Sequence, residues 1–182
     1  MTIEKATYEN LQAFNVFDPN KECRYSLVRA WDAKKPKAAI IMFNPRHLNP
    51  HPFLLGQSLS RCAKEVLDGG VYGSIEVVNL FAKTSNSQNE LDKEYQVFEE
   101  TNFRFIKDAV ESSGMVILAW GGKGASVCRN KLFINLFINY KGKIKCYDIL
   151  DNKLPKYPRN LAVEHKLKEC YMDKRGNIHF SK

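Results

Sequence analysis

The apolar residues of this chain fall into short unbroken runs separated by longer amphipathic stretches. Residues 38–43 (AAIIMF), 74–81 (SIEVVNLF) and 115–122 (MVILAWGG) are continuous or nearly continuous apolar runs closed by polar or glycine residues. Runs of that length are expected of strands covered on both faces. Residues 143–149 (KIKCYDI) read as a fourth strand. Between the runs the period changes. Residues 56–70 (GQSLSRCAKEVLDGG) space Leu59, Cys62, Ala63, Val66 and Leu67 for a helix stopped by two glycines. Residues 89–114 read as an interrupted helix whose apolar side uses Phe98, Phe105, Ile106 and Ala109, and residues 123–140 as a further helix. Residues 24–31 (RYSLVRAW) set Tyr25, Leu27 and Val28 among polar neighbours and read as an outer strand, followed by a solvated turn at 33–37. Residues 167–180 read as a hairpin turning at 173–176. No repeat, low-complexity tract or linker divides the chain. Alternation of strand and helix predicts an α/β fold in one domain over residues 1–182. The expected form has three layers, with a central, mostly parallel four-stranded sheet flanked by helices, an extra N-terminal strand and a C-terminal hairpin.

Each central strand runs out into something polar or glycine-rich. The first delivers Asn44, Pro45, Arg46 and His47, the second Asn79 ahead of Phe81 and Lys83, and the third Gly121, Gly122 and Lys123. Strand ends of a parallel sheet converge on one rim, which is where such sheets bind ligands. The turn GGKG lacks the spacing of a phosphate-binding loop and reads first as a tight strand-to-helix connection. Asn79 has two readings, a cap on the turn after its strand or a two-sided amide that reads a ligand edge. His47 reads equally as a water-exposed loop residue.

Composition narrows the classes. The chain has 182 residues, 44% apolar and 12% aromatic, enough for a sizeable core. Its net charge of +8 and pI near 9.2 fit either a solvated basic surface or one that meets polyanions and the acidic proteins that imitate them. The five cysteines are odd in number, widely spread and free of any C-x-x-C pair, which argues against a disulfide framework and a zinc site. With no cationic-then-apolar leader and no apolar run of membrane-spanning length, a soluble cytoplasmic protein is expected. No metal or cofactor is implied.

The order of these motifs resembles the uracil-DNA glycosylase superfamily, and more narrowly is similar to its DUF1643-type members. In those members a segment like RYSLVRAWD precedes a strand ending in Asn-Pro, then VVNLFA, then AWG. The glycosylase pattern has a strand ending G-Q-D-P-Y-H, or G-I-N-P-G in the mismatch-specific branch. It continues with L-L-N-x-x-L-T-V, then L-W-G, then H-P-S-P-L-S. Here MFNPRH, VVNLFAKTSNSQN, ILAWGGKGA and KYPRNLA (156–162) take those positions in order across residues 38–162.

The resemblance implies a base pocket formed by Asn44, Pro45, Arg46, His47, Asn79 and Phe81. Asn44 stands where the uracil-specific pattern has a water-positioning aspartate; an amide orients water but cannot offset a cation with its own charge. Arg46 stands where that branch has a tyrosine that bars the thymine methyl, and Asn79 at the reader of the base edge. Tyr157 replaces the histidine of the fourth motif, with Arg159 two residues on. Lys83, Gly121, Lys123, Lys156, Tyr157 and Arg159 are the expected contacts for nucleic acid or an inhibitor, and Lys34, Lys35, Lys37 and Lys153 add to the basic surface. The expectation is a monomeric pseudo-glycosylase with a degenerate active site, inefficient in uracil excision. It would bind DNA, an acidic DNA-mimicking glycosylase inhibitor, or both. Two alternatives stand beside it: an active glycosylase of unusual specificity that uses Asn44 to position water and Asn79 to read the base, and a small-molecule binder on the same fold.

Overall fold

The computed structural model describes residues 1–46, 53–85, 91–162 and 164–181. Its strands in chain order are β1 (Thr2–Tyr8), β2 (Leu11–Phe17), β3 (Arg24–Ala30), β4 (Lys37–Met42), β5 (Ser74–Asn79), β6 (Met115–Leu118), β7 (Lys143–Cys146), β8 (Lys168–Met172) and β9 (Ile178–Phe180). The helices are α1 (Gln57–Asp68), α2 (Glu100–Glu111), α3 (Ala125–Cys128) and α4 (Lys131–Asn139). All nine strands join one sheet in the order β1-β2-β3-β5-β4-β6-β7-β8-β9.

This overturns the expected four-stranded, mostly parallel sheet flanked by helices. The sheet is mixed: β5-β4, β4-β6 and β6-β7 pair in parallel, while the other five pairings are antiparallel. The cause lies at both ends of the chain. Residues 2–17 form a hairpin closed by Glu9 and Asn10, with Glu9 at φ 50° and Tyr8 opposite Leu11. That turn carries no glycine, and β1 is half-exposed along its length, so neither signal that marks a hairpin in a sequence is present. β3 pairs with both β2 and β5, which joins the hairpin to the centre. At the other side β8 and β9 extend the same sheet. Helix is also scarcer than the pattern suggests. The 89–114 stretch is helical over Glu100–Glu111, with a single 3-10 turn at Lys93–Tyr95. The 123–140 stretch breaks at Asn130, whose side chain accepts from the Leu132 N–H at 2.9 Å and starts α4 afresh.

Side-chain alternation gives the sheet two apolar faces. Ala38, Ile40, Met42, Ile75, Val77 and Ile117 pack with Leu59, Cys62, Ala63 and Val66 of α1. Ala39, Ile41, Val78, Val116 and Leu118 face the other way, onto Ile106, Ala109 and Val110 of α2 and Phe133 and Phe137 of α4. Among the described residues, no helix is long and apolar enough to cross a membrane.

An irregularity in β3 decides which of its side chains reaches the α1 face. Val16 pairs with Ser26 and Phe17 with Arg24, so Tyr25 is an extra residue in the strand. Strict alternation from Arg29 and Leu27 would turn Tyr25 to the α1 face. The bulge sends it instead to the α2 face, where its ring stacks on Phe105 at 5.0 Å between centroids. Arg24 takes the place Tyr25 would have held.

Candidate functional site

A cavity of about 320 Å³ opens on the α1 face where β4 and β5 end. Its apolar wall includes Leu27, Met42, Leu59 and Val77, and Leu54 and Leu55 lie on the approach to α1. Five residues from separate stretches of sequence reach it: Asn44 and Arg46 after β4, Asn79 at the end of β5, and Tyr157 and Arg159 from the segment after β7. Arg46 and Arg159 are exposed, Asn44 and Tyr157 half-buried, and Asn79 is 2% exposed.

Contacts from neighbouring elements hold these three stretches in place. The Asn44 Nδ2 donates to the carbonyls of Pro45 at 3.1 Å and Ser85 at 3.3 Å, while the Ser85 N–H donates to Pro45 O at 3.0 Å. No described residue donates to Asn44 Oδ1. The Asn79 carbonyl accepts from Asn102 Nδ2 on α2 at 2.9 Å, whereas the Asn79 Nδ2 is buried with no partner among the described residues. A buried amide donor left open at a cavity wall is a group waiting for an acceptor. The segment carrying Tyr157 and Arg159 is strapped to α1 by Arg61. Its guanidinium donates to the carbonyls of Leu161, Ala162 (2.5 Å) and His165 (3.1 Å) and lies 5.0 Å over the Tyr147 ring.

The residue that sequence reading missed is Arg24. It lines the same cavity and is 6% exposed. Its Nε has no hydrogen-bond partner and no carboxylate faces it among the described residues. Burial, and then the neighbouring Arg29, push its pKa down to about 10, so it keeps its charge at neutral pH. Arg29 is buried too, but its Nη1 reaches Asn15 Oδ1 and the Val28 carbonyl. The cavity also receives the N-terminus of α1 through Gly56, Gln57 and Ser58. That end has no side-chain cap and no acidic residue in its first turn, so its free N–H groups keep their positive potential. No Asp or Glu lines the cavity among the described residues.

Other expected site residues lie elsewhere. Pro45 is buried beside Asn44 and contributes its carbonyl to the loop rather than a wall to the cavity. Phe81 turns to the α2 face and packs edge-on against Phe43. Lys83 is paired with Glu22 at 2.7 Å and covers the Tyr95 ring, and Lys156 is paired with Asp148 at 3.5 Å. Gly121 and Gly124 have φ of +89° and +97°. A Cβ at Gly124 would come within 2.5 Å of Leu80 Cδ1, so GGKG is a tight connection that lets the chain pass close to the Leu80 side chain, just beyond β5. Lys123 is exposed and does not line the cavity. Lys37 begins β4 at the far end from the cavity and pairs with Glu76. His47 lies outside the described residues.

Compared with known proteins, residues 24–159 match a family model described as "Protein of unknown function (DUF1643)". No curated protein and no solved structure matches the chain.

Proposed function

The chain belongs to the DUF1643 family, and on that premise we propose that its cavity is a nucleic-acid ligand site related to the base pocket of uracil-DNA glycosylases, with its chemistry lost. In this reading the protein binds DNA, a DNA-mimicking glycosylase inhibitor, or both, and does not excise uracil efficiently. The observation that carries it is the convergence of Asn44, Arg46, Asn79, Tyr157 and Arg159 on one cavity, although they come from three segments far apart in the sequence. These are the positions that the glycosylase motifs would occupy. The open Nδ2 of Asn79 suits a reader of a base carbonyl. The exposed Arg46 and Arg159 suit phosphates at the mouth. The absence of any carboxylate among the described lining residues leaves no group to stabilise an oxocarbenium ion by charge.

The test is to incubate the protein with hydroxyl-ended oligonucleotides carrying uracil, mismatched and modified bases, in single and double strands. Retention at moderate salt and abasic product are both measured, beside a true glycosylase with and without a DNA-mimic inhibitor. The expected result is no base release, with strand retention or relief of the inhibited enzyme. Failure of both binding readouts overturns the proposal.

One observation favours a second reading, an active glycosylase. Asn44 Oδ1 accepts from no described residue and is available to orient water. Base release abolished by Asn44→Ala would establish it.

A further inference from the structure

From the floor of this cavity we infer that it receives a terminal phosphate group, as carried by a nucleoside 5′-monophosphate or the phosphorylated end of a strand. The inference rests on the cavity being the proposed ligand site, but not on DNA binding.

Arg24 carries most of the weight. A guanidinium 6% exposed normally has a carboxylate against it, because desolvating a charge without a counter-ion is strongly unfavourable. Arg24 has none among the described residues, and its Nε donates to none of them. The sheet is bulged to bring it there: the extra residue Tyr25 is what turns Arg24 onto the α1 face. A register that buries a cation with no carboxylate partner among the described residues against a cavity is poor packing and a good anion site.

Three further features converge on the same space. The Asn79 amide presents a second buried donor without a partner among the described residues. The N-terminus of α1 lines the cavity through Gly56, Gln57 and Ser58 and has no side-chain cap, so its first N–H groups are donors at the cavity wall. Arg46 and Arg159 add positive charge at the mouth. All are donors, and no carboxylate among the described lining residues competes for them. So many donors favour a dianion with several acceptor oxygens over a single carboxylate.

Shape selects the kind of phosphate. An internal phosphodiester has an ester arm on each side and cannot enter tip-first to a residue as buried as Arg24. A monoester has one arm and can. The cavity, about 320 Å³, is larger than phosphate alone requires, and Leu27, Met42, Val77 and Tyr157 supply a largely apolar wall for an attached sugar and ring.

The experiment measures binding of inorganic phosphate, acetate, and the four common deoxynucleosides with and without a 5′-phosphate, by calorimetry and thermal shift. Oligonucleotides ending in 5′-phosphate or 5′-hydroxyl form the last arm and distinguish a strand end from a free nucleotide. We expect phosphate but not acetate to raise the melting temperature, and at least one nucleotide to bind more than about tenfold tighter than its nucleoside. Arg24→Met should erase that preference while melting no lower than wild type without ligand, because it removes a buried charge that has no carboxylate partner among the described residues. Arg24→Lys should keep part of the preference as a point charge. If Arg24→Met does not fold, the wild-type comparison decides alone. Equal binding of nucleotide and nucleoside in all four pairs, or a preference that survives in a folded Arg24→Met, overturns the inference. Loss of strand binding with the phosphate preference intact would remove only the DNA reading.

Discussion

Asn102 holds Asn79 from across the sheet. From α2, on the face opposite the cavity, its buried Nδ2 donates to the carbonyls of both Asn79 (2.9 Å) and Leu80 (3.0 Å). The β5 end is therefore pinned by its backbone, which leaves the Asn79 side chain free to face the cavity. A residue that touches no ligand thus sets the position of one that lines the site.

Replacing Asn102 with leucine keeps the bulk and removes the donor. Two buried carbonyls then lose a partner, at a cost of about 1–3 kcal/mol. Urea unfolding should show a lower midpoint with an unchanged slope. Ligand affinity should fall as well, since the strand end that carries Asn79 is no longer fixed.

Arg61 does the same for the other wall. Arg61→Met keeps a long apolar stem over Tyr147 but abandons the carbonyls of Leu161, Ala162 and His165. The expected loss is about 1–2 kcal/mol, because these charge-assisted bonds are partly exposed to water. Limited trypsin digestion is the sharper probe. Cleavage after Arg159 should accelerate in the variant, and cleavage rates in the rest of the molecule should change little.

The hairpin of β8 and β9 carries an acid-sensitive turn. Burial alone would raise the Asp173 pKa, but the Asn177 and Arg175 N–H groups, the Asn177 amide and His179 at 3.0 Å outweigh it and hold the carboxylate below its usual range. A depressed carboxylate pKa adds stability that is complete above the unfolded value, near 3.9, and is lost as pH falls toward the folded one. Wild type should therefore exceed Asp173→Asn in stability at neutral pH. The gap should close on titration below about pH 4, followed by melting temperature across an acid series.

The thiols should be quiet. Cys62 and Cys128 are fully buried, and burial pushes both up to about 12. At pH 8 they carry almost no thiolate and no access for a reagent. A colorimetric thiol reagent should leave both unmodified in native protein, and all five cysteines should react after denaturation.

What could be read in the sequence depended on how a residue is buried. β4 and β5 are covered on both faces, so their apolar runs announce them, and their ends announce Asn44 and Asn79. α1 is legible because Leu59, Cys62, Ala63 and Val66 all point one way. β1 is nearly silent because it buries no residue fully, and β2 because one of its three buried positions is the polar Asn15 and the turn before it has no glycine. Phe81 misleads because the chain leaves β5 after Asn79, and the turn carries its ring to Phe43 on the opposite face. Arg24 is hidden for a different reason. Alternation counted back from Leu27 assigns the inward place to Tyr25, and nothing in the letters marks the extra residue that exchanges the two.

That extra residue makes the charge of the cavity a matter of counting rather than of composition. Inserting one residue between Val16 and Phe17 would leave every arginine in the chain, yet it would give Tyr25 a partner and take out the bulge that lets Arg24 and Leu27, three residues apart, share a face. Nor would substitution find this dependence, because any residue at position 25 preserves the count. The site can be lost to a three-nucleotide insertion in the stretch that encodes β2, where a residue-by-residue scan of the cavity lining would never look.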